Sequence, residues 1–168
     1  ALSSCVDNNV KQVIATMWGD CGSQTNVYET LLGLQLYAEI GYGYEFDYEH
    51  IKKRFFACTG ENADAFVSLT DLDDLGQKEF GTYFNGDGNP SEYLLWQNIL
   101  MGMLDAHIDI DNISELYKER KLRYKKYAEE SKNYKNIFEY SYHLANVLEI
   151  KADLGLKKKK AYDEKNMA

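Results

Sequence analysis

The sequence has few cysteines and no long apolar run. Cys5, Cys21 and Cys58 are the only cysteines among 168 residues. Because their number is odd and their spacing fits no metal site, we predict free or buried thiols, with neither a disulfide framework nor a zinc site. No apolar run approaches the roughly 20 residues of a membrane helix, and no charged segment precedes an apolar stretch at the N-terminus. We therefore expect a cytoplasmic protein that has no membrane partner.

Positive charge is also scarce. The formal net charge is -8 and the sequence pI about 4.9, a balance that repels phosphate backbones. The one basic cluster, four lysines at 157–160, lies near the end of a helical pattern, where cations complement the helix dipole. We interpret it as a solvated helix tail. We therefore do not expect the protein to bind nucleic acid.

Apolar residues, by contrast, are plentiful enough for a folded core. Hydrophobic residues make up 45% of the chain and charged residues 27%, which is ordinary globular usage rather than that of a disordered chain. A chain of this length buries roughly 70% of its unfolded surface. One or two small domains are expected.

The N-terminal region has the pattern of one strand followed by one helix. Residues 10–18 end in a nearly continuous apolar run, which is typical of a strand buried on both faces of a parallel sheet. After a polar loop, Asn26 and Glu29 have the spacing of a capping-box variant and open an apolar helix that ends at Gly41 and Gly43. This is one βα unit, the repeating element of a (β/α) barrel. Because a lone strand has nothing to pair with and the chain opens without Met, we expect a piece of a larger protein.

Only helices are predicted after this unit. The expected elements are a short helix at 47–58, one or two helical turns at 62–75, a loop at 81–90, a helix from Glu92 to about His107 with Ser91 as N-cap, a helix capped by Asn112 and Glu115, and a long helix from about 133 to 160. Antiparallel packing would bury the apolar stripes of the helices after residue 90. The predicted fold is mostly α, a C-terminal helical bundle preceded by one βα unit.

Trp18 and Asp20 are the strongest candidates for a binding site. They lie at the carboxyl end of the predicted strand, the end that faces the active site in barrel enzymes. An indole offers a flat platform for the C–H face of a sugar, and a nearby carboxylate accepts hydrogen bonds from hydroxyls. The pair therefore fits a carbohydrate ligand. The alternative is that Trp18 belongs to the core and Asp20 to a turn or cap.

These residues also carry a resemblance to a known family. The run Ala-Thr-Met-Trp-Gly-Asp at 15–20 and the helix Leu-Leu-Gly-Leu-Gln-Leu-Tyr-Ala-Glu at 31–39 resemble the last barrel strand and helix of family 20 glycoside hydrolases. The match fits the bacterial exo-β-N-acetylhexosaminidases that have a helical C-terminal domain. The resemblance implies that Trp18 walls the pocket for the terminal N-acetyl sugar and that Asp20 binds its 4- and 6-hydroxyls. Many members have Glu where this chain has Asp20, so the chain departs from them there.

The resemblance further implies a substrate-assisted, retaining hydrolysis of terminal β-linked GlcNAc or GalNAc. In the family, the substrate's acetamido oxygen attacks the anomeric carbon while a Glu protonates the leaving oxygen and a neighbouring Asp orients the acetamide. That pair belongs to an earlier strand, and no Asp-Glu dipeptide follows a barrel-like strand here. We therefore expect no catalytic residue in this chain, no cofactor, and no activity in the fragment alone.

The same resemblance implies a domain boundary and partners. Residues 1–43 would be the last strand and helix of a (β/α)8 barrel, and residues 44–168 a C-terminal helical domain. The expected partners are an N-acetylhexosaminide in the full-length parent, the rest of the barrel and, for a dimer, a second copy. The alternative function is a non-enzymatic helical interaction or dimerisation module, in which residues 10–18 dock on the bundle or on another chain.

Two acidic clusters have residue types that bind metal ions. They are Asp105, His107, Asp109 and Asp111, and Asp71, Asp73, Asp74 and Gly76. A calcium-loop count from Asp71 places Thr82 where the bidentate Glu is required. We interpret both clusters as helix caps and predict no metal site.

The remaining candidates have ordinary interpretations. We interpret His50 and His143 as structural or solvated, while a pairing of Cys21 with a histidine stays open. Six of the 14 tyrosines fall in the last two predicted helices. Packing at a helix interface is the preferred interpretation of them, and an aromatic sugar-binding surface is the alternative.

Overall fold

The computed structural model describes residues 2–17, 25–43, 45–75, 90–103, 105 and 113–165. Within those ranges the chain forms eight α-helices: α1 (Leu2–Asp7), α2 (Leu31–Gly41), α3 (Tyr48–Thr59), α4 (Ala63–Val67), α5 (Pro90–Trp96), α6 (Ile113–Glu130), α7 (Lys135–Lys151) and α8 (Leu154–Asp163). Two 3-10 helices lie at Val27–Thr30 and Ser68–Leu72. The prediction of a mostly α fold with a helical C-terminal domain is confirmed.

The strand of the predicted βα unit is absent from the described residues. Residues 10–17 have no regular secondary structure, and the side chain of Ile14 is 84% exposed. An extended segment becomes a strand only when a neighbouring strand supplies its ladder of hydrogen bonds. The helical half of the unit, α2, is present, and α1 precedes the segment without having been predicted.

Two compact units make up the chain. The first comprises Ala1–Leu69 and Ser131–Ile137, and the second comprises Thr70–Glu130 and Phe138–Ala168. None of the described helices is long and apolar enough to span a bilayer.

The first unit has an aromatic core. Phe55 of α3 packs edge-on against Phe66 of α4, with ring centroids 4.9 Å apart, and Phe66 packs against Tyr134 at 5.8 Å. Beside these rings the buried side chain of Glu61 accepts hydrogen bonds from the backbone N–H groups of Lys132 and Asn133, at 3.1 and 2.8 Å. One carboxylate therefore satisfies two backbone donors in the loop before α7.

The second unit is built around α6 and α7. Tyr117 and Tyr124, seven residues apart and so on the same face of α6, are fully buried. The Tyr117 hydroxyl donates to the Leu72 carbonyl at 3.1 Å. On α7, Ser141 and Leu148, which lie on one face of the helix, are both fully buried.

The helix predicted from Glu92 to about His107 is wrong in length and in its cap. It ends at Trp96, because Asn98 opens a turn by accepting from the Leu100 N–H at 2.8 Å. Ser91 lies inside α5 rather than before it. The cap comes from a distant residue, Asp73, whose Oδ1 accepts from Ser91 N at 2.9 Å and from Ser91 Oγ at 2.6 Å.

The prediction of a single long C-terminal helix is also wrong, because the helix is interrupted between α7 and α8. Asp153 stands at the break with φ -109° and no side-chain cap hydrogen bond, and Gly155 follows. Asp and Gly have low helix propensity, which makes this a favourable place for the break. A Cβ on Gly155 would lie 2.7 Å from Asp105 Oδ2. The lysines at 157–160 are exposed, as predicted.

Candidate functional site

Trp18 and Asp20, the two predicted sugar-binding residues, lie outside the described residues. The residues on either side of them, Met17 and Thr25, are described and line a cavity of about 880 Å³. The cavity lies where the segment 10–17 meets the beginning of α2. It is therefore the described surface nearest in sequence to the predicted site.

Contacts between the segment and α2 build this cavity. The Tyr37 hydroxyl donates a hydrogen bond to the Val13 carbonyl. Thr30 Oγ1 donates to the Val27 carbonyl at 2.7 Å and lies 3.1 Å from the sulfur of Met17. The apolar segment is thus held against the helix that follows it, although it forms no strand.

The predicted capping box at the start of this helical region is confirmed. Asn26 Oδ1 accepts from the Tyr28 N–H at 3.0 Å, and the carboxyl group of Glu29 accepts a hydrogen bond from the Asn26 backbone, which is the reciprocal contact of a capping box. The first turn is a 3-10 helix, and α2 continues from it. The cap fixes the backbone of this turn. The 3-10 geometry of the backbone in turn sets the direction in which the Glu29 side chain projects.

Glu29 lines the cavity and has an unusual environment. Its Oε1 is buried and has no hydrogen-bond partner. Burial raises the pKa of Glu29 to about 7, against the opposing effect of a hydrogen bond from the Asn26 backbone. Desolvation disfavours the charged form of a carboxyl group in this way.

The sequence predicts Glu29 as part of a helix cap and does not predict its place in the cavity. Its neighbours Val27, Leu31 and Leu32 are apolar, and this is the only hint in the sequence that its carboxyl group loses water. Burial of one oxygen depends on residues distant in sequence, such as Leu2 and Ala15, which line the same cavity. No local pattern reports that contact.

A second carboxylate, Glu39 of α2, differs from Glu29 because polar and charged side chains contact both of its oxygens. It is 6% exposed, with Oε2 3.1 Å from His50 Nε2 and Oε1 3.3 Å from Arg54 Nε. Burial acts to raise its pKa, but the hydrogen bonds and charges of His50 and Arg54 outweigh it and lower the pKa overall. His50 therefore has a structural contact, linking α3 to α2.

The acidic cluster near residue 71 consists of pairing and capping residues. Asp71 forms an ion pair with Arg123, and Asp73 caps α5 through Ser91. Among the described residues, no three His, Cys, Asp or Glu side chains are grouped to hold a metal ion. Of the other cluster only Asp105 is described, and His107, Asp109 and Asp111 lie outside the described ranges.

The remaining sequence candidates occupy ordinary positions. Cys5 and Cys58 are free thiols, and Cys21 lies outside the described residues. His143 is exposed and packs edge-on against Tyr142 at 4.9 Å. The Tyr127 ring lies 5.7 Å from that of Phe138, which fits the packing interpretation of the tyrosines.

Comparison with known proteins gives one family. The family described as "Glycoside Hydrolase 20C C-terminal domain" matches residues 64–168, well over half of the chain. The match covers α4 to α8 and begins later than the boundary at residue 44 predicted from the sequence. No curated protein matches the chain significantly.

Proposed function

The chain belongs to the family of glycoside hydrolase 20C C-terminal domains, and from this we propose that it is the C-terminal part of a β-N-acetylhexosaminidase. The parent enzyme removes terminal β-linked GlcNAc or GalNAc by the substrate-assisted, retaining mechanism. This chain supplies part of the sugar pocket and lacks the catalytic Asp-Glu pair. In this proposal residues 1–43 complete a barrel and residues 44–168 form the helical domain.

The exposed apolar segment before α2 is the observation that carries the proposal. Val13, Ile14 and Met17 are 39%, 84% and 54% exposed, although their pattern is that of a strand buried on both faces. Burying a side chain of this size contributes about 1.5–3 kcal/mol. The neighbouring strands of a barrel would cover this segment, and their hydrogen bonds would convert it into the last strand.

Trp18 and Asp20 take the substrate-binding roles. Trp18 follows Met17 directly and Asp20 comes two residues later, and Met17 and Thr25 both line the cavity beside α2. In a completed barrel, a side chain at this end of the strand faces the active site. We assign Trp18 to the wall of the N-acetyl sugar pocket and Asp20 to the ring-edge hydroxyls.

The test is Trp18→Ala in the protein that carries the complete barrel. We expect kcat/KM on an aryl N-acetyl-β-hexosaminide to fall by about tenfold or more, equivalent to about 1.4 kcal/mol of transition-state stabilisation. Trp96→Ala is the matched control, because Trp96 is the only other tryptophan and is 68% exposed on α5. An unchanged kcat/KM in Trp18→Ala would remove Trp18 from the site.

The second candidate function is a helical interaction or dimerisation module. It is favoured by the large apolar side chains that the second unit exposes, since Leu100, Met101 and Met103 are each 70–72% exposed. Exposed apolar patches commonly mark protein interaction sites. Sedimentation over a range of concentrations tests this candidate, and a monomer at every concentration contradicts dimerisation.

A further inference from the structure

The second unit contains a pocket between α8 and the turn that follows α5. Its volume is about 390 Å³, and its lining includes Leu156, Lys158, Lys159 and Tyr162 of α8 and Leu100 and Met101 of the turn. All of these residues belong to one compact unit. The volume lies within the size range of ligand pockets. The pocket can therefore take an apolar side chain of a binding partner.

Large apolar side chains at this pocket are exposed to solvent. Leu100, Met101 and Tyr162 line it and are 71%, 70% and 74% exposed. Single exposed apolar side chains are ordinary on a protein surface, whereas a group of them around one concave site is typical of an interaction surface. Methionine also adapts its shape to different contacts. We call these three side chains and the pocket the α8 face.

The charge of the α8 face is opposite to that of the chain as a whole. Lys158 and Lys159 line the pocket together with one carboxylate, Asp105, so cations outnumber carboxylates there, while the chain carries a net charge of -8. Lys157 is paired with Asp153 at 2.7 Å. Lys158 and Lys159 form no ion pair with any residue that the structure describes. Two cations are therefore available to a partner of negative charge.

From the pocket, the exposed apolar side chains and the two lysines we propose that the α8 face docks an acidic protein segment. The segment inserts an apolar side chain into the pocket and places carboxylates against Lys158 and Lys159. This inference is independent of the sugar site. A twofold contact between two copies would bring the lysines of both copies together, so their repulsion disfavours it. An anionic membrane is disfavoured because it repels a chain whose net charge is -8.

The experiment measures how the full chain binds two synthetic amphipathic helical peptides. One peptide has leucines on one face and glutamates on the other, and the second has lysines in place of the glutamates. Fluorescence anisotropy of the labelled peptides gives the two Kd values. We expect the glutamate peptide to bind at least about tenfold more tightly than the lysine peptide. Its affinity should fall as added salt screens the charges.

A charge-reversal variant tests the two lysines. Lys158→Glu combined with Lys159→Glu should weaken binding of the glutamate peptide by about tenfold, because two attractions become repulsions. Lys125→Glu combined with Lys126→Glu is the matched control, since it makes the same change of charge at exposed positions of α6. We expect the control to bind the glutamate peptide as the unmodified chain does.

Leu100→Ser tests the apolar contact and should also weaken binding by about tenfold. Its control is Leu122→Ser, because Leu122 is 60% exposed on α6 and should not contribute. Circular dichroism checks that each variant keeps its helices. The inference is overturned if the glutamate peptide does not bind at up to about 1 mM, or if the lysine and Leu100 variants bind it as the unmodified chain does.

Two further measurements test the other possible occupants of the α8 face. Binding of the chain to phosphatidylserine vesicles that the double lysine variant abolishes would assign the face to a membrane surface. A dimer in sedimentation that Leu100→Ser dissociates would assign the face to a second copy. Either result overturns the inference of an acidic protein partner, and we expect neither.

Discussion

At the scale of single residues, two glutamates of one helical region show how environment sets charge. Glu29 has a pKa raised to about 7 because burial removes water and supplies no cation. Glu39 is buried as well, yet its pKa is lowered because His50 and Arg54 contact its oxygens. The sequence gives both positions the same chemistry. Only the residues that fold against them decide that the pKa of Glu29 is raised and that of Glu39 is lowered.

Tyr117 provides a residue-scale test of the second unit. Its ring is fully buried and its hydroxyl donates to the Leu72 carbonyl at 3.1 Å. Tyr117→Phe keeps the ring and leaves that carbonyl without this donor. We expect the free energy of unfolding to fall by about 1 kcal/mol, the usual value of such a hydrogen bond. Urea unfolding measures it, with Tyr162→Phe as control because Tyr162 is 74% exposed. Equal losses in the two variants would contradict the assignment.

At the scale of secondary-structure elements, helices can be predicted from the sequence where neighbouring residues set their ends. Asn26, Asp47 and Asn62 each cap a helix with their own side chain, and such caps are visible as sequence patterns. The misplaced ends reflect local residues, Asn98 after α5 and Asp153 before α8, together with distant ones. Asp73 caps α5 across the chain, and the break before α8 lies where Asp105 packs against Gly155. These two distant contacts have no local sequence pattern, whereas Asn98, Asp153 and Gly155 are local signals that the predicted helix ends did not use.

The candidate site also has a part that could be predicted from the sequence and a part that could not. The order of apolar segment, Trp18, Asp20 and α2 could be read from the sequence, and it led to the family that the chain matches. The cavity and the buried oxygen of Glu29 could not be predicted. They arise where α1 and the segment 10–17 contact α2, and no periodic pattern in the sequence indicates those contacts.

Asp47 provides the element-scale test. Its Oδ1 accepts from the N–H groups of Glu49 and His50 at 3.0 and 3.3 Å, and these donors have no partner inside a helix. Asp47→Ala should lower the free energy of unfolding by about 1 kcal/mol. Asp47→Asn keeps an acceptor oxygen and should cost clearly less. Thermal unfolding compares the two, and equal destabilisation would show that the cap does not stabilise α3.

At the scale of the whole molecule, the two glutamates make stability depend on pH in opposite directions. The folded chain holds a proton on Glu29 up to about pH 7, while in the unfolded chain the pKa of Glu29 is the ordinary glutamate value of 4.5. Stability from this group therefore falls as the pH rises between those values. Glu39 acts at the acid end, because its folded pKa lies below 4.5. Together they favour a stability maximum on the acid side of neutrality.

Glu39→Gln tests the acid side of this dependence. Because the folded pKa of Glu39 is depressed, its contribution is fully present above the unfolded value of 4.5 and is lost as the pH falls through the folded pKa. Glu39→Gln should therefore lower the urea midpoint at pH 7, and the difference from the unmodified chain should shrink as the pH falls below 4.

Glu115→Gln is the control for that experiment. Glu115 forms an exposed pair with Lys118 at 3.1 Å, and exposed pairs of this kind contribute little to stability. Its urea midpoint should stay close to that of the unmodified chain at both pH values. A Glu39→Gln difference that persists unchanged at pH 3 would show that the Glu39 side chain stabilises through packing alone. The contacts of Glu39 with His50 and Arg54 would then carry no pH dependence, and the charge-based link between α2 and α3 would be wrong.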